Sequence, residues 1–173
     1  MAEKNKEDFD KLLNALLRYA TELPSPRIRV GKQVFRMSDI FEKAYADRGF
    51  AEQLMQYPEI LNLEFFGKGY LGEGIAAHYP DLALEKIIEN EKVRESLDYP
   101  LPAKIAVAVV EAKEEYAKIV IEKHPDLLDL VDRIMDVDYE TEYTVGETIW
   151  ILYPNLRQLL EERGVKPVQM KKS

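Results

Sequence analysis

Four short segments of this chain repeat one order of residue types: an aromatic residue or His, then Pro, then an acid or Asn, then Leu or Ile. These segments are residues 57–60, 79–82, 124–127 and 153–156, and residues 99–102 form a looser fifth copy. Successive prolines of the series are 22, 20, 25 and 29 residues apart, within the range in which helical repeat proteins are built. The spacing predicts a chain made of similar helical units.

Each segment has the composition of a boundary between two helices. Proline suits the first turn of a helix, where its missing N–H is not needed, and an acid just after it favours the positive end of the helix dipole. A longer match extends one boundary: Gly72-Glu73-Gly74-Ile75 before Tyr79-Pro80 corresponds to Gly146-Glu147-Thr148-Ile149 before Tyr153-Pro154, 74 residues later. We therefore predict an all-α fold with a short, irregular, α-solenoid-like array over residues 50–163.

Residues 89–102 carry an acid-rich turn, then Val93-Arg94, then prolines before the next helix. This order resembles the leucine-rich repeat variant family, which is related in style to HEAT repeats. The resemblance implies an α-solenoid for residues 50–163, although the spacing of the units here is irregular. It implies no catalytic residue, and the cysteines that hold an iron–sulfur cluster in one member of that family are absent.

The segment before the array has a different pattern. Apolar residues at helical spacing predict an amphipathic helix over residues 5–22, which the prolines at 24 and 26 end. Apolar pairs on both sides of residues 31–33 predict a short β-hairpin. Ser38 is the expected N-cap of a further helix to about Arg48, ended by Gly49. We expect one domain over residues 1–173, with a tail at 164–173.

The composition excludes several kinds of chemistry. The 173-residue chain has no Cys, which excludes disulfides, thiolate metal sites and cysteine nucleophiles. Its two histidines, His78 and His124, stand at predicted helix ends, where packing and the helix dipole explain them better than a metal does. No apolar run reaches the length of a membrane span, so we expect a cytoplasmic protein. Dense Glu and Lys with few amides is a composition found in thermophilic proteins.

The net charge of −8 is unevenly distributed, with +2 in residues 1–50 and −10 in residues 51–173. An acidic body argues against broad nucleic-acid binding, which needs clustered Lys and Arg. One basic cluster interrupts this pattern, because no acid occurs between residues 23 and 38. Its members, Arg27, Arg29, Lys32 and Arg36, are candidates for binding a nucleic acid, a partner protein or the acidic body of a second copy.

An acidic segment gives the clearest chemical signal. Counting Asp136 as position 1, oxygen-bearing side chains occupy positions 1, 3, 5, 7 and 12, as in an EF-hand calcium loop. The candidate ligands are Asp136, Asp138, Glu140, Glu142 and Glu147. Thr141 stands at position 6, where the EF-hand requires Gly, so a solvated acidic loop or a short edge strand is the alternative. The segment is expected between helices over residues 125–135 and 146–152.

Two further patterns have structural explanations. Asp126, Asp129, Asp132 and Asp136 would share one face of a helix over residues 125–135, and we expect that face to be the solvated one. The glycine-rich residues 67–74 match no phosphate-binding motif and predict a turn followed by close helix packing.

These observations predict a protein-interaction or scaffold module without catalytic activity, whose partner is another protein or a second copy. The alternatives are a helical metal-dependent enzyme or calcium-binding protein that uses the Asp136–Glu147 carboxylates, and a nucleic-acid accessory protein that uses the basic cluster.

Overall fold

The computed structural model describes residues 28–30, 33–35, 37–55, 58–65, 69–136 and 139–168. Within these ranges the fold is all-α, with three two-stranded hairpins added to it. The predicted helix over residues 5–22 lies outside the described residues.

The helices form four pairs, each with a first and a second helix. The first helices are α1 (Met37–Ala46), α3 (Leu71–His78), α6 (Leu101–Ala112) and α8 (Val145–Leu152). The second helices are α2 (Arg48–Leu54), α4 (Pro80–Ala83) with the π-helical turn Leu84–Ile88, α7 (Glu114–Lys123) and α9 (Arg157–Glu162). The short helix α5 (Glu91–Glu95) connects the second pair to the third.

The four first helices lie side by side in one row, with α1 against α3, α3 against α6, and α6 against α8. Contacts at both ends show that they run in the same direction. At the carboxyl ends, the Tyr79 phenol donates to the Tyr45 carbonyl at 2.7 Å and the Tyr153 phenol donates to the Val110 carbonyl at 2.6 Å. At the amino ends, the side-chain amide of Asn62, which precedes α3, donates a hydrogen bond to the carbonyl of Ser96, which precedes α6. Lys104 in the first turn of α6 donates to the carboxylate of Asp132, which precedes α8.

The predicted boundaries at Tyr79, His124 and Tyr153 are confirmed, and they share one backbone geometry. Their φ and ψ angles are −131° and 68°, −133° and 55°, and −127° and 86°. In each case the boundary residue donates its N–H to the carbonyl four residues earlier and a proline follows. The proline then starts a new helical turn, because its fixed φ suits that position and it has no N–H to leave unpaired.

Short 3₁₀ turns and hairpins join the pairs. The joining turns are Pro58–Asn62 and Pro125–Asp129, and a further turn, Pro154–Leu156, lies between the two helices of the fourth pair. Hairpin β3–β4 (Glu64–Phe65, Gly69–Tyr70) precedes α3, and hairpin β5–β6 (Val131–Asp136, Tyr139–Thr144) precedes α8. Each hairpin is closed at its base by one backbone bond, from Leu71 N–H to the Leu63 carbonyl and from Val145 N–H to the Leu130 carbonyl, both at 2.8 Å.

The predicted N-terminal hairpin is confirmed as β1 (Ile28–Val30) paired antiparallel with β2 (Gln33–Phe35). The helix that follows differs from the prediction. It begins at Met37, so Ser38 lies inside α1, and it ends at Ala46 rather than at Gly49. Asp47 has extended backbone and accepts a hydrogen bond from the Phe50 N–H, so it caps α2, which contains Gly49.

The core is continuous and includes residues from both helices of every pair, and a close contact recurs in it. A Cβ on Gly72 of α3 would lie 3.2 Å from Ile105 of α6, and a Cβ on Gly146 of α8 would lie 2.9 Å from Val165. Val165, after α9, therefore packs on the face of α8 that corresponds to the α3 face covered by α6.

Candidate functional site

The elements added to the helix pairs collect on one edge of the row. Hairpin β1–β2 precedes α1, β3–β4 precedes α3, the turn at residues 96–100 precedes α6, and β5–β6 precedes α8. Because the four first helices run in the same direction, their amino ends lie on the same side. We call this side the hairpin edge; the opposite side, which contains Asp47, Tyr79, Lys113 and Tyr153, is the break edge.

The turn in the middle of the hairpin edge holds Tyr99 out into solvent. The Asn62 side chain fixes this turn twice, donating to the Ser96 carbonyl at 3.0 Å and accepting from the Asp98 N–H at 2.8 Å. Leu97 is buried beneath it, and the Leu101 N–H donates to the Asp98 carbonyl. Tyr99 itself is 68% exposed. A large aromatic side chain is thus presented on a fixed backbone, as in protein contact sites.

Charge changes sign along the hairpin edge. Residues 23–38, which include β1–β2, carry four basic and no acidic side chains, and residues 64–70 carry one of each. The exposed Glu95 and Asp98 lie beside Tyr99, and residues 131–144 carry five acids and one Arg. Along the sequence, the segment that leads into α1 therefore has only basic charges, and the segment that leads into α8 is mainly acidic.

The acidic segment is a hairpin, so the helix predicted over residues 125–135 is wrong. The 3₁₀ turn ends at Asp129, and the chain then enters an antiparallel ladder in which Met135 pairs with Glu140 and Asp136 pairs with Tyr139. An EF-hand loop must wind around its ion, whereas an extended ladder does not. The alternative of an edge strand describes this backbone correctly.

Glu147 has another role than the predicted calcium ligand. Its carboxylate accepts from the Thr144 N–H at 3.1 Å while the Thr144 hydroxyl accepts from the Glu147 N–H at 3.0 Å. This capping box starts α8. Among the side chains that the structure describes, no three His, Cys, Asp or Glu are grouped so as to hold a metal ion. Metal binding by Asp136, Asp138, Glu140 and Glu142 stays a prediction. The described backbone of the segment does not have the geometry of an EF-hand loop.

The base of β5–β6 is tied to α6 by an ion pair that the sequence reading missed. Lys104 Nζ lies 3.2 Å from Asp132 Oδ1, and the two side chains are 22% and 12% exposed. Partial burial, and secondarily the neighbouring Asp132 carboxylate, raises the pKa of Glu111 on the same helix. The signal for this site was Lys104 itself, a lone charge within the apolar stretch of residues 101–110.

The aspartates predicted to share one helix face lie in different elements and bind different residues. Asp126 binds Arg94 at 3.1 Å, Asp132 binds Lys104, and Asp136 ends a strand. Asp81, at the equivalent place after Pro80, accepts two hydrogen bonds from the Arg48 guanidinium, which lower the pKa of its carboxyl. The acid after the junction proline thus joins one unit to an Arg 32 or 33 residues earlier.

Both histidines lie at helix ends, as predicted. His78 hydrogen-bonds the Gly74 carbonyl at 2.8 Å and stacks on Tyr45, with ring centroids 4.6 Å apart. His124 lies at a junction, and its Nε2 is buried without a hydrogen-bond partner in the described part of the chain. Burial, and secondarily the nearby Arg94 guanidinium, lowers the pKa of His124.

The basic cluster is described in part. Arg29 pairs with Val34 in the β1–β2 ladder, and Arg27, Lys32 and Arg36 lie outside the described residues. Its role in binding nucleic acid or a partner stays a prediction.

The glycine-rich segment packs closely, as predicted. Gly69, the first residue of β4, has a φ of 75°, while Gly72 contacts Leu61 and Ile105. A Cβ on Gly74 would overlap the Tyr45 ring. Gly67 lies outside the described residues.

Comparison of the chain with family models, with curated proteins and with solved structures gives no match. In the parts of the chain that the structure describes, no helix is long and apolar enough to cross a membrane. The geometry of the hairpin edge is therefore the basis for any functional assignment.

Proposed function

We propose that this protein is a protein-interaction module that binds its partner through the hairpin edge. The single observation that carries the proposal is the placement of all three described hairpins and the Tyr99 turn on that edge, where β1–β2, β3–β4, the Tyr99 turn and β5–β6 follow one another. Binding residues concentrate on loops that a rigid scaffold positions. The row of helix pairs supplies the scaffold, in the manner of the HEAT-like and leucine-rich-repeat-variant arrays that the sequence resembles.

The two ends of the row favour a lateral binding surface. At the α1 end of the described row, Lys43 of α1 is exposed. At the other end Val165 covers the apolar face of α8, and Trp150 is enclosed by Arg157, whose guanidinium lies 5.4 Å from the indole ring. Terminal units of repeat arrays commonly carry such caps, which leaves the sides of the array for partners.

Two large apolar side chains that are exposed in the described part of the chain, one on each edge, allow a matched test. A photo-reactive phenylalanine analogue replaces Tyr99 on the hairpin edge or, as the control, Leu152, which is 43% exposed at the break edge. Irradiation in an extract of the source cells should give covalent adducts from position 99 and few from position 152. The adducts are identified by mass spectrometry.

A purified partner should then bind the wild-type chain at least about tenfold more tightly than the Asp98→Lys variant, because charge reversal at an interface opposes association. Equal adduct yields from positions 99 and 152, or no adduct from position 99, would contradict the proposal.

A further inference from the structure

The junction at His124 differs from those at Tyr79 and Tyr153 in how its polar atoms are paired. At the other two junctions the phenol of the boundary residue donates to a main-chain carbonyl. His124 has the same backbone geometry with a shorter ring, and its Nε2 is buried without a hydrogen-bond partner among the described residues. Only three buried side-chain polar atoms in the described part of the chain lack a partner, and the Nε of Arg94 is another of them.

Arg94 lies beside His124. Its Nη1 donates to the carboxylate of Asp126, two residues after His124, at 3.1 Å. At the equivalent junction, the Arg48 guanidinium lies 5.8 Å from the Tyr79 ring and donates two hydrogen bonds to the acid that follows the proline. Arg94 makes one such bond and is more deeply buried, because 17% of its side chain is exposed against 49% for Arg48. Two buried nitrogens, one on Arg94 and one on His124, are therefore left for another partner.

The charges around the imidazole balance when it is neutral. Two cations, Arg94 and Lys123, and two anions, Glu89 and Asp126, act on His124. Asp126 pairs with Arg94, and Lys123 Nζ lies 3.9 Å from Glu89. Protonation of His124 therefore adds one uncompensated positive charge beside a buried guanidinium. An unpaired charge in such a place is costly, so the protonated form gains from an anion.

We propose that His124 Nε2 and Arg94 Nε together bind a small monovalent anion of the size of chloride, and that the anion binds most tightly when His124 is protonated. Both atoms then carry a hydrogen, because an imidazolium donates from both ring nitrogens and a guanidinium always donates. Hydrogen bonds from charged donors to an anion are among the strong ones. The nearby carboxylates of Glu89 and Asp126 oppose a more highly charged ligand. Anion binding at this junction is independent of what the hairpin edge binds.

Proton NMR of the full chain tests the site directly, because His124 and His78 are the only histidines. The pKa of His124 is measured in chloride and in gluconate at one ionic strength of about 0.5 M, so that screening is equal. Chloride should raise the pKa of His124 by at least about 0.5 pH unit, the shift expected when its concentration is about twice the Kd of the protonated site. His78, whose ring is exposed, is the internal control, and its resonances should respond equally to both salts.

Two matched lysine variants assign the effect to the junction. Arg94→Lys keeps the charge but removes the Nε–H donor, so most of the chloride effect on His124 should disappear. Arg48→Lys makes the same change at the Tyr79 junction and should leave the effect intact. Circular dichroism checks that each variant is folded.

Urea unfolding gives a second readout at about pH 5, below the ordinary histidine pKa. Replacing gluconate with chloride should raise the urea midpoint of the wild type, because an anion that binds the folded state stabilises it. The same exchange should have no such effect on His124→Tyr, which carries the residue of the other two junctions. A pKa of His124 that is the same in chloride and in gluconate overturns the proposal. A chloride effect that survives Arg94→Lys undiminished also overturns it, because the anion then binds elsewhere.

Discussion

Three tyrosines allow one chemical change, the loss of a phenol oxygen, to be made in opposite environments. The Tyr153 hydroxyl donates to the Val110 carbonyl at 2.6 Å and the Tyr79 hydroxyl donates to the Tyr45 carbonyl at 2.7 Å. Both carbonyls lie in the last turn of a first helix, where no later N–H of the same helix donates a hydrogen bond to them. The Tyr45 hydroxyl is buried without a hydrogen-bond partner among the described residues.

Tyr153→Phe should lower the free energy of unfolding by about 1 kcal/mol, because it removes one hydrogen bond and leaves a partly buried carbonyl unpaired. Tyr79→Phe should cost about the same. Tyr45→Phe should instead be neutral or stabilising by up to about 1 kcal/mol, since it removes an unpaired buried donor without changing the shape of the side chain. The matched changes differ only in whether the lost oxygen has a partner.

Urea unfolding followed by far-UV circular dichroism measures these differences. With a slope of about 2 kcal/mol per molar urea, a loss of 1 kcal/mol moves the midpoint down by about 0.5 M, and the melting temperature falls by about 3 °C. If Tyr45→Phe destabilises the chain as much as Tyr153→Phe does, the reasoning from these hydrogen bonds is refuted.

Four further predictions follow from described contacts. Gly74→Ala should destabilise the chain by about 2 kcal/mol, because its Cβ overlaps Tyr45, and the cost should shrink in a Tyr45→Ala background, measured as a double-mutant cycle. Lys104→Met should cost about 3 kcal/mol by leaving Asp132 unpaired, while adding Asp132→Asn should recover part of the loss in urea unfolding. Burial, and secondarily the Glu73 carboxylate, raises the pKa of Tyr45 to about 12, so stability is independent of Tyr45 ionisation below pH 10 and falls as the pH rises from 10 towards 12; Tyr45→Phe should flatten that decline in the urea midpoint. The lowered pKa of His124 means that its neutral form stabilises the fold above pH 6.5 and that stability falls on acidification below it, a slope that His124→Gln should reduce.

The helix boundaries were predictable because their signal is local. A proline with an acid or Asn after it determines a helix start by its own geometry, and the boundaries at Tyr79, His124 and Tyr153 all follow that rule. The close packing at Gly72 and Gly74 was predictable for the same reason. By contrast, the direction of the first helices depends on contacts such as Tyr153 to Val110, which are 43 residues apart and leave no local pattern.

The error at residues 125–135 has an equally physical cause. Apolar residues at 127, 128, 131 and 134 fit a helical period, but the same residues fit a turn followed by a strand. The bond from Val145 N–H to the Leu130 carbonyl, together with the pairing of Asp132 with Lys104, favours the strand. Neither partner is visible from within the segment. The hairpin edge was likewise beyond the sequence, which placed the basic and acidic segments but not their common side.

One backbone hydrogen bond closes the base of β3–β4 and another closes the base of β5–β6, so these two hairpins can differ in length and sequence. The stretch between Leu130 and Val145 is seven residues longer than that between Leu63 and Leu71, yet both close with a 2.8 Å bond and lead into equivalent helices. Doubling the length of such a loop costs only about 0.6 kcal/mol in closure entropy. New sequence can therefore be inserted within these two connections with little effect on the helices as long as Asp132, the partner of Lys104, is kept, so that the chain can change what it binds while keeping how it folds.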